Sequence, residues 1–216
     1  MGPMRAARAF ALGLKSSGLL AAGGLTAGQT DLVSLIDEEA NELNDLASHL
    51  LRAAKLESSD LKPNCEPLLL SSLLGPAIEA IKAHPSSERF QISVAPEEAP
   101  VMAERKLMTA ALMHVLENAA KYSIPKSPIA IEIAVTDFEV TLTVSNHGRT
   151  IALADRERIF ERFYRVPGTE QGSPGTGLGL SIVRKIVQAH RGRVWVEGDG
   201  ISMTSFWVAL PVVSDR

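Results

Sequence analysis

The sequence predicts an α/β fold: a two-layer sandwich with a mixed, mainly antiparallel sheet covered by helices on one face, preceded by a helical hairpin or long helix. Three observations predict it. Ile129, Ile131, Ile133 and Val135, then Val140, Leu142 and Val144, alternate with smaller or polar residues, as strands do when only one face is buried. Two stretches, 105–122 and 178–190, carry apolar residues at helical spacing. Strands and helices mix without strict βαβ alternation, which argues against an all-parallel sheet.

Taken in order, residues 29–57 read as one amphipathic helix. Ile36, Leu43 and Leu50 recur every seven residues, with Leu32, Leu46 and Ala53 in the second seam position. That narrow stripe suits a partner helix. The polar run Ser58-Ser59-Asp60-Leu61-Lys62-Pro63-Asn64 then reads as a linker. A helix over 73–83 ends near Pro85, a short strand covers 90–94, and the long helix 105–122 follows. Two strands separated by Thr136-Asp137-Phe138-Glu139 come next, then the helix 178–190 and strands at 193–196 and 205–210.

Composition narrows the function. The 216 residues, 45% hydrophobic and 22% charged, suffice for one sizeable domain and a smaller element. A net charge of -3 without a basic, aromatic-interleaved run argues against nucleic acid. The single Cys65 excludes an internal disulfide and fits a reducing, cytoplasmic setting as an inert, partly buried thiol. No apolar run reaches the roughly 18 residues that span a bilayer. Lys15, Ser16 and Ser17 interrupt the apolar stretch that would otherwise imitate a secretion signal.

Four motifs carry the chemistry. Gly175-Thr176-Gly177-Leu178-Gly179-Leu180-Ser181 runs directly into an apolar helix. Its glycines let backbone N–H groups approach an anion, and the helix start adds unpaired donors and partial positive charge. It is neither a Rossmann pattern, having no strand leading into it, nor a P-loop, lacking Gly-Lys-Ser/Thr. On the long helix, Asn118 and Lys121 share a face, a pairing that can hold Mg²⁺ and a phosphate oxygen together. Asn146 ends a strand before the turn His147-Gly148-Arg149-Thr150 and can present an amide to a base edge. Phe160-Glu161-Arg162-Phe163-Tyr164-Arg165 precedes a Pro/Gly-rich stretch, 167–174, with the composition of a mobile lid.

In their order and spacing these motifs resemble the catalytic and ATP-binding domain of sensor histidine kinases, in the wider ATPase group that includes gyrase and MutL. The residues around Asn118 match the family's N box, 146–151 its first glycine box, 160–165 its F box and 175–180 its second glycine box. The resemblance implies 1–61 as a partial, degenerate helical dimerisation segment, 62–66 as linker and 67–216 as the ATP-binding catalytic domain. It implies ATP and Mg²⁺ as cofactors, Asn118 as the metal ligand, and Lys121, Tyr122 and Arg165 at phosphates or ribose, with Lys121 and Arg165 catalytic. Asn146 would contact adenine with Thr204 near the base, Gly148 would belong to the ATP-binding set, and Gly175, Thr176, Gly177, Leu178, Gly179 and Leu180 would wrap the phosphates. The implied partners are a response-regulator receiver domain and a second copy through the 29–57 helix.

The sequence departs from the family at four places. Asn146 stands where Asp is usual, Thr150 replaces a glycine, and His114 stands where the N box often begins with Asn. His114 reads either as a polar pocket wall or as a packing residue. Upstream, no histidine precedes Gln29, so the phosphoacceptor is absent from the expected helix, and autophosphorylation of the chain itself is not expected. His49, His84, His147 and His190 are poor substitutes; His190 is expected at a helix end, where positive charge is mildly favoured. The alternative readings are an interaction module that binds nucleotide without kinase activity, and an ATP hydrolase of the same group.

Overall fold

The computed structural model describes residues 61–81, 89–169 and 176–213, all in the second of two units into which the chain divides, Ser58–Arg216. The expectations for 1–60, for His84 and for Gly175 lie outside the described residues.

The elements run β1 (Glu66–Leu68), α1 (Ser71–Ala80), β2 (Phe90–Val94), β3 (Val101–Ala103), α2 (Arg105–Tyr122), β4 (Ile129–Val135) and β5 (Glu139–His147). After β5 come two short 3₁₀ turns, Leu153–Asp155 and Arg158–Phe160, and then α3 (Gly179–Ala189), β6 (Arg193–Gly198) and β7 (Met203–Pro211). Five strands form one sheet in the order β2-β4-β5-β7-β6. Among the described strands only β2 and β4 pair in parallel; the crossover through α2 that joins them is what a parallel pair requires. The other ladders are antiparallel, so the mixed, mainly antiparallel sheet expected from the sequence is present.

The alternation seen in the sequence decides which face is covered. Ile129, Ile131, Ile133, Val140, Leu142, Val144, Phe206, Val208 and Leu210 are all buried where α2 packs on β5 and α3 on β6 and β7. Each such side chain contributes roughly 1.5–3 kcal/mol relative to exposure. On the opposite face Trp195 and Trp207, paired in register, stack with ring centroids 5.5 Å apart, while Glu132 and Glu197 meet solvent.

Two features are not visible in the sequence. β1 and β3 form a separate two-stranded sheet in which Glu66 pairs with Ala103 and Leu68 with Val101. Three-residue strands are too short to show a period. His190 differs from expectation: it is buried, its Nδ1 lies 2.7 Å from the Ile186 carbonyl, and its Nε2 accepts the Glu104 N–H at 3.0 Å. An imidazole that accepts at Nε2 is neutral, so His190 is a pin between α3 and the start of α2 and not a cationic helix end.

Cys65 is partly exposed, and burial, followed by the neighbouring Glu104 charge, pushes its thiol ionisation up. Among the described residues no helix is long and apolar enough to cross a membrane.

Candidate functional site

Helix α2 supplies the axis of the site. Successive helical residues turn by about 100°, so His114, Asn118, Lys121 and Tyr122 lie along one stripe. The half of α2 that carries them is seated at both ends against glycine. At its C-terminal end, a Cβ added to Gly148 would collide with the Tyr122 carbonyl oxygen, and Ser123 bridges to Gly148 while the Ile124 N–H donates to the His147 carbonyl at 2.7 Å. Two turns earlier, the Cβ position of Gly179 lies 3.5 Å from Nδ1 of His114. The stripe therefore bridges the first glycine turn and the start of α3.

His114 resolves toward the packing reading while still facing the site. Its ring is 5% exposed, with Nδ1 3.5 Å from Glu117 Oε2 one turn along. Asn118, Lys121 and Tyr122 are all half-buried, and the Lys121 ammonium stands 5.4 Å from the Tyr122 ring centroid, a cation–π distance.

Asn146 and Thr204 form the floor. They pair in register across β5 and β7 and share the helix-covered face with Val144 and Phe206. Both are 3% exposed. The Thr204 hydroxyl oxygen is buried and has no hydrogen-bond partner among the described residues. A buried hydroxyl that neither protein, water nor ligand meets costs about 1–3 kcal/mol, so this one is available to a ligand. The turn above this floor is anchored from the β6–β7 connection. Gly148 donates its N–H to the Ser202 carbonyl at 2.7 Å, and Asp199 Oδ1 accepts the N–H groups of Ile201, Ser202 and Met203 at 2.8, 2.9 and 2.9 Å. Those donors, Met203 first, hold the Asp199 carboxyl below its ordinary range.

The second glycine segment meets the aromatic motif. Gly177 has φ +71°, and a Cβ there would lie 2.7 Å from the Phe163 carbonyl carbon. Phe163, itself at φ +60°, donates its N–H to the Gly177 carbonyl at 3.0 Å. Thr176 Oγ1 accepts the Leu178 N–H at 3.2 Å and sets up the first turn of α3. The N–H groups of that first turn carry the helix's partial positive charge. Leu178 fills the core with its side chain; Gly179 and Leu180 begin the helix.

Arg184 of α3 holds the aromatic motif in place, its guanidinium 4.8 Å from the Phe160 ring centroid and 2.6 Å from Glu157 Oε2. Tyr164 donates to Asp155 Oδ1 at 2.6 Å; that bond, more than any other influence, raises its phenol's ionisation. Arg165 donates to the Thr169 carbonyl at 2.9 Å within its own loop.

The sequence did not point to Arg89. Its guanidinium donates to the carbonyls of Ile124 and Ser127 at 2.9 and 2.8 Å, to Ala120 at 3.4 Å and to Ser123 Oγ at 2.7 Å. These bonds gather the carbonyl end of α2 beside Lys121 and Tyr122. No spacing signals such a clamp, because its partners lie more than 30 residues away.

The donor set also bears on a metal ion. Among the described residues no group of three or more His, Cys, Asp or Glu side chains converges, so an all-protein cage is absent. Magnesium does not need one: it keeps several waters and takes other oxygens from phosphate. A single amide such as Asn118 fits that mode.

Comparisons with known proteins agree with this arrangement. Residues 103–214 match the family described as histidine kinase-, DNA gyrase B-, and HSP90-like ATPase. The chain is 31% identical over 175 residues to the sensor histidine kinase CusS of Escherichia coli, covering 81% of this chain and 36% of that protein. It is 42% identical over 115 residues to the sensor protein IrlS of Burkholderia pseudomallei, covering 53% of this chain and 25% of IrlS. It therefore spans about a third of the length of such relatives. Among solved structures, the mycobacterial sensor histidine kinase MprB superposes with a TM-score of 0.59 at 26% identity, over 68% of this chain and 97% of that one. With its four motifs in order and α2 seated between two glycine segments, the chain belongs to the histidine kinase-, DNA gyrase B-, and HSP90-like ATPase family.

Proposed function

We propose that this chain binds Mg-ATP and acts as the catalytic domain of a two-component sensor histidine kinase, passing the γ-phosphate to a histidine on a helical dimerisation domain. The observation that carries the reading is the floor formed by Asn146 and the partnerless Thr204 hydroxyl, set beside the seat of α2 on Gly148.

In this reading Asn146 and Thr204 meet the adenine edge, and Gly148 keeps the turn above them close to α2. Lys121, Tyr122 and Arg165 contact phosphates or ribose, and the amides of 176–180 with the start of α3 receive the polyphosphate. Asn118 holds Mg²⁺, which neutralises charge on the phosphate oxygens when bound. The bond from the γ-phosphorus to its bridging oxygen breaks as the acceptor imidazole nitrogen bonds to phosphorus, and ADP leaves. The protein's contribution is positioning and charge neutralisation.

His114 and His190 are both buried, so neither serves as acceptor. The acceptor is supplied by a dimerisation domain, with residues 29–57, whose sequence reads as an amphipathic helix, as the surface for a second copy and a response-regulator aspartate as the next recipient. The names of the relatives, sensor histidine kinase CusS among them, support the same reading, under which the domain works in the cytoplasm.

Labelled ATP, with and without an added intact dimerisation domain, tests it. Label on the added histidine is the expected result. Nucleotide binding without transfer points instead to a nucleotide-binding interaction module, and release of free phosphate to a hydrolase.

A further inference from the structure

The base-facing pair Asn146 and Thr204 has an unusual freedom. Each can reverse its hydrogen-bonding sense. A carboxamide carries an acceptor oxygen and a donor NH₂ of nearly equal size, and a hydroxyl donates or accepts according to its rotation. Turning the Asn146 amide by 180° exchanges its two roles unless a protein bond holds one orientation. No hydrogen bond joins the Asn146 side chain to any described residue. Its Nδ2 lies 3.3 Å from the point where a Cβ of Gly148 would sit, so the missing side chain leaves room for the exchange. Thr204 Oγ1, equally without a partner among the described residues, is free to follow.

The two purine classes present inverse edges. A 6-aminopurine offers a donor at N6 and an acceptor at N1; a 6-oxopurine offers an acceptor at O6 and a donor at N1. We infer that this site accepts 6-oxopurine nucleotides as well as ATP, because Asn146 and Thr204 invert together; the inference rests on the nucleotide-binding reading above. A carboxylate in place of the Asn146 amide could only accept, and would set its charge against O6. Polar sites with fixed sense reject the wrong partner by about 10⁴-fold or more, since buried groups are then left unpaired. An invertible pair removes that penalty.

Inosine triphosphate is the stringent probe, because hypoxanthine reverses the 6-position edge and lacks guanine's 2-amino group. The experiment is a calorimetric titration of the whole chain with Mg²⁺ and non-hydrolysable analogues of ATP, ITP and GTP, repeated with Asn146→Asp. The expected result is ITP binding within about a hundredfold of ATP, with the ITP-to-ATP ratio of Kd rising at least about tenfold in Asn146→Asp. ATP binding with ITP more than about a hundredfold weaker overturns the inference and leaves the nucleotide site standing. An ITP-to-ATP ratio unmoved by Asn146→Asp overturns the assignment to Asn146. Absence of heat with every nucleotide overturns the site itself, and this inference with it.

Discussion

Gly148 lies so close to the main-chain oxygen of Tyr122 that no side chain fits between them. A β-strand end and a helix end thus meet backbone to backbone, two residues after Asn146 on the strand and at the end of the helix that carries Asn118 and Lys121. The obstacle is main chain, which cannot rotate away as a flexible side chain would.

Gly148→Ala is therefore expected to destabilise the fold by about 2 kcal/mol or more and to weaken nucleotide binding at least about tenfold. Gly75 provides the contrast. It sits inside α1 with open space at its Cβ position apart from its chain neighbours; the ring of Pro76 crowds a helical residue before it and offsets the usual gain in helix propensity, so Gly75→Ala should change stability by less than about 1 kcal/mol. Urea unfolding of both variants checks the pair; equal effects would refute the steric account.

Thr204→Val should move stability and affinity in opposite directions. Replacing a buried hydroxyl that lacks a partner relieves about 1 kcal/mol in the ligand-free protein. The same change removes a contact from the nucleotide floor and should weaken binding by about fivefold to tenfold. Thermal unfolding without ligand and a nucleotide titration measure the two arms. A loss of stability together with unchanged affinity would show that the hydroxyl serves packing alone.

Arg89→Gln removes the fork that ties the Ala120 carbonyl near the end of α2 to Ser123, Ile124 and Ser127 of the turn that follows. Stability should fall by about 2 kcal/mol, and hydrogen exchange at the Ile124 N–H should accelerate. Arg89→Lys should recover only part, since a point-like ammonium cannot span divergent acceptors as a planar guanidinium does. Full rescue by Lys would mean that charge, and not geometry, is what the helix end needs.

Asp199 gives a pH signature. Its carboxyl lies below the ordinary range because the Met203, Ile201 and Ser202 N–H groups bind the ionised form. A carboxyl lowered by folding contributes stability above its unfolded value, about 3.9, and loses that contribution as pH falls through the lower folded value. The β6–β7 turn, and the Ser202 carbonyl that receives the Gly148 N–H, should stay anchored at neutral pH and loosen below about pH 4. Hydrogen exchange at the Ser202, Met203 and Gly148 amides should show it, with Asp199→Ala loose at every pH. Amides in the wild type that stay equally protected through acid would exclude the mechanism.

Much of the fold is legible along the chain because its strands and helices each bury one face. Ile129 to Val135 and Val140 to Val144 alternate because α2 and α3 cover a single side of the sheet, and 105–122 reads as a helix because its apolar positions follow the helical period. The placement of the glycine segment before α3 and of Asn118 and Lys121 on one face of α2 is legible for the same reason: local spacing fixes it.

What tertiary structure alone decided is the set of contacts made across long sequence distances. The β1–β3 pair, the Arg89 clamp, the neutral pin at His190 and the seat of Gly148 on Tyr122 join residues whose spacing has no period to detect. The partnerless Thr204 hydroxyl belongs with them. Whether a buried polar group is satisfied depends on which strand register and which helix end come together above it, and only the folded chain settles that.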